Sequence, residues 1–94
     1  MTRDQAMRAL KKVIDPELGI DVVTLGFIRE LTVKADGRVD LVMTLTSPLC
    51  PLRQEIKNQV RQALADAGAG DVSITLEFDP PWQPPPAVKA LLGW

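Results

Sequence analysis

The apolar positions of the chain change period several times, and each change marks a boundary. Ala6, Leu10, Val13 and Ile14, with Met7 beside them, share one face of a 3.6-residue repeat and predict a helix. Thr2 and Gln5 fit a capping box at its start. Its end is predicted near Ile14, because Asp15 precedes Pro16 and is pushed out of helical dihedrals. Residues 15–26 follow neither period and interleave Asp15, Glu17 and Asp21 with Leu18, Ile20, Val22 and Leu25. That reads as a loop lying as a lid over one end of the core. Alternation then takes over, with Phe27, Leu31 and Val33 on one side of a strand and Glu30, Thr32 and Lys34 on the other. Ala35-Asp36-Gly37 is a hairpin turn. A second strand over residues 38–46 carries Val39, Leu41, Met43 and Leu45 at every second position.

The period switches again at Leu52, Ile56, Val60 and Leu64, which are spaced by four and predict a helix from Pro51 to about Ala67. Gly68-Ala69-Gly70-Asp71 ends it. Val72, Ile74, Leu76 and Phe78 alternate with polar residues as a third strand. The proline-rich stretch Asp79-Pro80-Pro81-Trp82-Gln83-Pro84-Pro85-Pro86 predicts a stiff extended tail, closed by a short helix over residues 87–92. A PxxP ligand is the rival reading of that tail, but Trp82, Val88, Leu91 and Leu92 suit a cover for the core better. The order is helix, strand, strand, helix, strand, short helix. It predicts an α/β (α+β) two-layer sandwich, a three-stranded sheet with helices on one face. The 94 residues read as a single domain, 1–94, of which 79–94 is the closing tail.

Strand directions locate a site. A hairpin makes the first two strands antiparallel, and the helix after the second returns the chain so that the third runs parallel to the second. The 15–26 loop, the end of the second strand and the start of the tail then meet at one edge, while the other edge has two short turns. The converging edge holds Cys50. Pro51 suits the first helical position, which makes Cys50 the expected N-cap. Free N–H groups and the helix dipole would favour its thiolate, the form that attacks electrophiles and binds metals. Thr46 and Ser47, with the N–H groups of Leu52 and Arg53, are candidate hydrogen-bond partners. Asp15, Glu17 and Asp21 are expected to bring oxygens to the same edge, and Trp82 to cover it. The plainer alternatives are a buried hydrophobic cysteine, an Asx turn at Asp15 and a solvated Glu17. Met7 and Met43 suit the core better than a ligand set.

Composition narrows the chemistry. The chain has no histidine and one cysteine, which excludes Ser-His-Asp and Cys-His catalysis, an intrachain disulfide and most zinc sites. Cys50 could serve a metal only if a second copy, a partner protein or a small thiol completed the ligand set. A net charge of −1 without a basic block argues against nucleic acid as a partner. The apolar runs are too short for a membrane span and the N-terminus lacks a signal-peptide core, so the expected location is the cytoplasm.

These residues carry a resemblance. Asp15-Pro16-Glu17 followed by Gly19-Ile20-Asp21-Val22-Val23-Thr24-Leu25-Gly26-Phe27-Ile28, then Met43-Thr44-Leu45-Thr46 leading to Cys50-Pro51-Leu52, then Phe78-Asp79-Pro80-Pro81-Trp82, resembles the metal–sulfur cluster assembly domain family across essentially the whole chain. That family includes SUF accessory proteins, PaaD-like proteins of phenylacetate degradation and a eukaryotic subunit of cytosolic iron–sulfur targeting. The resemblance implies a small α/β domain with a reactive cysteine in iron–sulfur cluster assembly or delivery. By it, Cys50 matches the family's cysteine, Asp15 and Glu17 its acidic pair, and Thr46 its strand threonine. PaaD-like relatives usually add a cysteine-rich C-terminal region, and others a fused P-loop ATPase. Neither is present here, which makes the compact SUF-accessory type the expected match.

The leading expectation is a maturation factor rather than a turnover enzyme. It would hold no permanent cofactor and would bind iron or an iron–sulfur cluster transiently through Cys50. Its partners would be assembly proteins or apo-clients, with a homodimer also open. A thiol enzyme or redox protein using Asp15, Glu17 or a lysine as base, and a pure adaptor, are the alternatives.

Overall fold

The computed structural model describes residues 1–93, so Trp94, the last residue of the expected tail, lies outside the described residues. In chain order the elements are α1 (Arg3–Leu10), β1 (Ile28–Val33), β2 (Val39–Met43), α2 (Arg53–Asp66), β3 (Val72–Leu76) and α3 (Pro86–Leu92). The strands form one sheet in the order β1-β2-β3, with β1 antiparallel and β3 parallel to the central β2. Helix α1 packs against β1, α2 against β3, and the two helices against each other. This is the predicted α+β architecture, including the strand directions.

Register sorts the two faces of the sheet. Leu31 pairs with Leu41 and Val33 with Val39, while Leu41 pairs with Ile74 and Met43 with Leu76. The alternate apolar residues of all three strands therefore share one face. Val39, Leu41 and Met43 are buried there with Ala6, Ala9 and Leu10 of α1 and Ile56, Val60 and Leu64 of α2. Each Leu, Ile or Val so buried contributes about 1.5–3 kcal/mol. The opposite face carries Lys34 and Asp40, paired at 3.0 Å but half exposed. Such a pair adds little.

Short turns close the edge away from Cys50. The Lys34 N–H donates to the Arg38 carbonyl, Asp36 Oδ1 accepts the Arg38 N–H, and Gly37 takes φ +91°. The Gly37 carbonyl also accepts the Gly70 N–H at 2.9 Å, so the hairpin turn and the turn before β3 are tied together.

Several predicted boundaries move. Helix α1 ends at Leu10, not near Ile14. Tight bonds from Lys12 N–H to Ala9 O and from Val13 N–H to Leu10 O wind the chain out, and the backbone at Ile14 then bridges to Asp21. Ile14 is consequently 46 % exposed instead of lying on the helical stripe. Strand β2 stops at Met43, because both Thr44 and Leu45 are buried and the alternation ends. A register shift between Ile28 and Glu30 interrupts the alternation of β1. Helix α2 starts at Arg53 with Leu52 as its N-cap (φ −95°, ψ 9°), so neither Cys50 nor Pro51 occupies the predicted cap positions. Among the described residues, no helix is long and apolar enough to cross a membrane.

Candidate functional site

Cys50 sits in a braced turn two residues ahead of the α2 cap. The Ser47 carbonyl accepts the Cys50 N–H at 3.2 Å, and Ser47 Oγ accepts the Leu49 N–H at 3.1 Å. The Cys50 carbonyl accepts the Arg53 N–H at 3.3 Å, and Arg53 Nη1 reaches back to the Pro48 carbonyl, also at 3.3 Å. Pro48 and Pro51 fix two of the dihedrals between these bonds. The outcome is a rigid bend that turns Cys50 inward and Leu49 outward, 88 % exposed.

The facing loop is ordered by its own first acidic residue. Asp15 is 2 % exposed, and its Oδ1 accepts the N–H groups of Glu17 and Leu18 at 2.8 and 2.9 Å. Its backbone accepts from Gly19 and donates to Ile20. Residues 15–20 thus form a compact Asx-type turn, the plainer of the two sequence readings of Asp15. That turn projects Glu17 toward the Cys50 bend. The Cys50 thiol lies 3.6 Å from Glu17 Oε1 and donates to it.

The electrostatics correct one expectation. A cap position would have favoured the thiolate, but the thiol is pushed up from its ordinary value. Burial is the largest cause; the Leu52 N–H pulls the other way. The hydrogen bond to Glu17 and the charges of Glu17 and Asp15 then push it further up. With the helix starting at Arg53, one N–H does not offset desolvation beside two carboxylates. At neutral pH the resting form is the protonated thiol.

The other predicted residues take separate places. Asp21 Oδ2 accepts the Thr24 N–H at 2.9 Å, which turns that carboxylate into its own loop. Ser47 acts through the bend, and Thr46 is exposed without a side-chain hydrogen bond among the described residues. The tail joins the same edge. The Trp82 indole N–H donates to the Leu25 carbonyl at 2.7 Å, and its ring meets Phe27 edge to face at 5.5 Å. Arg29, not singled out from sequence, donates from Nη2 to the Pro80 carbonyl. A cation beside the apolar pair Phe27-Ile28 was the signal available for it.

The donor set is small. Asp15 Oδ1 is committed to two N–H groups, so the donors at this edge are the Cys50 sulfur, the Glu17 carboxylate and the second Asp15 oxygen. Among the described residues, no three His, Cys, Asp or Glu side chains converge on a metal position. A cavity of about 340 Å³ lies between α1 and α2, lined by Ala9, Val13, Ala63 and Ala67 with Lys12 and Asp66. It includes none of the residues around Cys50. Fold and site together define a small α+β domain that presents one shielded thiol beside a carboxylate at a three-segment edge.

A profile described as iron–sulfur cluster assembly protein matches residues 3–77, and the chain belongs to that family. It is 41 % identical over 81 residues to the Fe–S protein maturation auxiliary factor YitW of Bacillus subtilis, covering 85 % of this chain and 79 % of that one. Over 71 residues it is 42 % identical to the Fe–S protein maturation auxiliary factor SufT of Staphylococcus aureus, covering 74 % of this chain and 81 % of that one. A conserved hypothetical protein of Thermotoga maritima superposes with a TM-score of 0.88 at 37 % identity, covering 100 % of this chain and 96 % of that one. These likenesses agree with the family that the sequence motifs resemble and with its compact members.

Proposed function

We propose that this chain is a cytoplasmic iron–sulfur assembly or delivery factor in which Cys50 is a transient ligand and Glu17 its proton acceptor. The observation that carries the reading is the Sγ–Oε1 contact of 3.6 Å between the lone cysteine and a carboxylate from a separate loop. A thiol binds iron as thiolate, and coordination itself drives off the proton. Glu17 stands where that proton leaves, while Asp15 holds the Glu17 backbone and Ser47 the Cys50 bend. Until cargo arrives, the protonated form keeps the sulfur unreactive. Iron or a cluster is thus cargo, not a resident cofactor. One sulfur falls short of the four ligands usual for a cluster, so the rest come from an assembly protein, a client or a second copy.

The names of the relatives, maturation auxiliary factors, support this reading over an enzyme. So does the thiol's upward shift, since a nucleophilic cysteine needs its pKa lowered. Anaerobic incubation with iron, sulfide and an apo-ferredoxin tests it. Wild type is expected to speed formation of the ferredoxin cluster absorbance, and Cys50→Ser to lose the effect. Equal rates for both would remove the role given to Cys50.

A further inference from the structure

The two edges of the sheet are finished differently. The β1 edge is irregular and covered. A register shift lies between Ile28 and Glu30, α1 packs against the strand, and Arg29 reaches across to the tail at the Pro80 carbonyl. Irregularity and cover are what keep an edge from pairing with another chain. The β3 edge has neither. β3 pairs with β2 in unbroken parallel register from Val72 to Leu76, and of the other named elements only α2 touches it. The Asp71 carbonyl and the Glu77 N–H are both spent on β2. Backbone groups alternate in direction along a strand, so Ser73 and Thr75 face β2 as well. The N–H and C=O groups of Val72, Ile74 and Leu76 therefore point away from the sheet. Among the described residues, one of these groups has a partner: Arg61 Nη1 donates to the Val72 carbonyl at 2.8 Å.

The side chains along this edge define its occupant. Val72, Ile74 and Leu76 belong to the core face yet are only half-buried, because β3 has no strand beyond it. Ser73, Thr75 and Glu77 are exposed on the open face, and the exposed carboxylates Asp71 and Asp79 flank them. We propose that β3 takes up an extended segment of a partner protein as a fourth strand. Alternate apolar side chains of that segment cover Val72, Ile74 and Leu76, and basic ones between them lie opposite Asp71 and Glu77. The free Val72 N–H and both backbone groups of Ile74 and Leu76 require an extended chain, and the carboxylates set its charge. This surface uses none of the donors around Cys50, so it goes beyond the assembly reading and stands without it. A second copy fits less well. Antiparallel pairing centred on Ile74 would set Asp71 of each copy opposite Glu77 of the other.

The test follows amide hydrogen exchange by NMR in the isotope-labelled full chain. The probe is a capped synthetic peptide of alternating lysine and valine, with an alternating glutamate and valine peptide as control. Without peptide, the Ser73, Thr75 and Glu77 amides are expected to exchange slowly and those of Ile74 and Leu76 fast. The lysine–valine peptide at millimolar concentration is expected to slow Ile74 and Leu76 about tenfold or more, and the glutamate–valine peptide to leave them unchanged. Thr75→Lys alters an exposed side chain whose backbone bonds face β2, so it keeps the fold and is expected to weaken binding several-fold. Thr32→Lys, on the same face of β1, should bind as wild type does. Unchanged exchange at Ile74 and Leu76 with the lysine–valine peptide, equal protection by both peptides, or undiminished binding by Thr75→Lys would each overturn the proposal. Protection of these amides that grows with protein concentration alone would assign the edge to a second copy and overturn it too.

Discussion

The Cys50 thiol and the Glu17 carboxylate, 33 residues apart in the chain, meet at 3.6 Å, and the carboxylate helps hold the sulfur in its protonated form. Replacing the charge while keeping the shape should release that hold. Glu17→Gln removes the repulsion between two negative charges and weakens the acceptor, so the thiol pKa falls. Iodoacetamide alkylation of Cys50 at pH 8 is expected to quicken several-fold, because the thiolate is the reacting form and its fraction grows as the pKa drops toward the working pH. An unchanged or slower rate would show that Glu17 does not control the sulfur.

The raised thiol pKa also couples folding to pH. The folded thiol titrates above the ordinary thiol value of 9.0, so the fold prefers the neutral form. Its contribution is fully present below the unfolded value and is lost as pH rises through the folded value. Denaturant midpoints compared at about pH 8 and about pH 10.5, on either side of an ordinary thiol's titration, should fall more for wild type than for Cys50→Ala. Parallel declines would locate the alkaline sensitivity elsewhere.

Asp15 makes a structural prediction distinct from any role in metal binding. Asp15→Ala leaves the Glu17 and Leu18 N–H groups without their acceptor. The loss is expected at about 1–3 kcal/mol. At about 4–8 °C per kcal/mol for a domain of this size, a thermal melt resolves it easily. Asp15→Asn keeps an oxygen in place and should lose clearly less. Equal losses for the two would mean that the charge, not the acceptor, matters.

Trp82 pins the tail to the end of the acidic loop through one hydrogen bond and one ring contact. Trp82→Phe keeps the ring but removes the donor to Leu25, and is expected to lower stability by about 1 kcal/mol. Trp82→Ala removes both and should cost several times more. Urea unfolding followed by circular dichroism distinguishes them. A negligible effect of Trp82→Ala would show that the tail does not brace the site.

The elements were legible in the sequence because burial imposes period. Val39, Leu41 and Met43 could belong only to a strand with one inner face, and Ile56, Val60 and Leu64 only to a helix. Strand direction followed from chain order, and with it the edge where Cys50 lies. What could not be read was decided by non-local backbone bonds. Ile14 leaves the helical stripe because residues 20–22 supply it with a bridging partner, which no local pattern announces. Cys50 misses the cap because the Ser47 and Arg53 bonds make a turn of the Pro51-Leu52 step. The protonation of Cys50 was misjudged for the same reason: helix position was legible, but the approach of Glu17 across the chain was not. Asp21 lies in the right loop, yet its side chain is spent on Thr24.

The long reach of the contacts at this edge has a consequence for the order in which the protein becomes functional. Glu17 and Cys50 are joined across 33 residues, Arg29 and Pro80 across 51, and Trp82 and Leu25 across 57, whereas the far edge is stitched by neighbouring turns. A chain emerging from the ribosome can pair β1 with β2 early, since that closure is short. Trp82, which bonds the end of the loop that carries Glu17, is still inside the ribosome when Cys50 emerges. The nascent chain therefore carries Cys50 without the Trp82 brace on the acidic loop, and the brace forms only once the tail has left the ribosome.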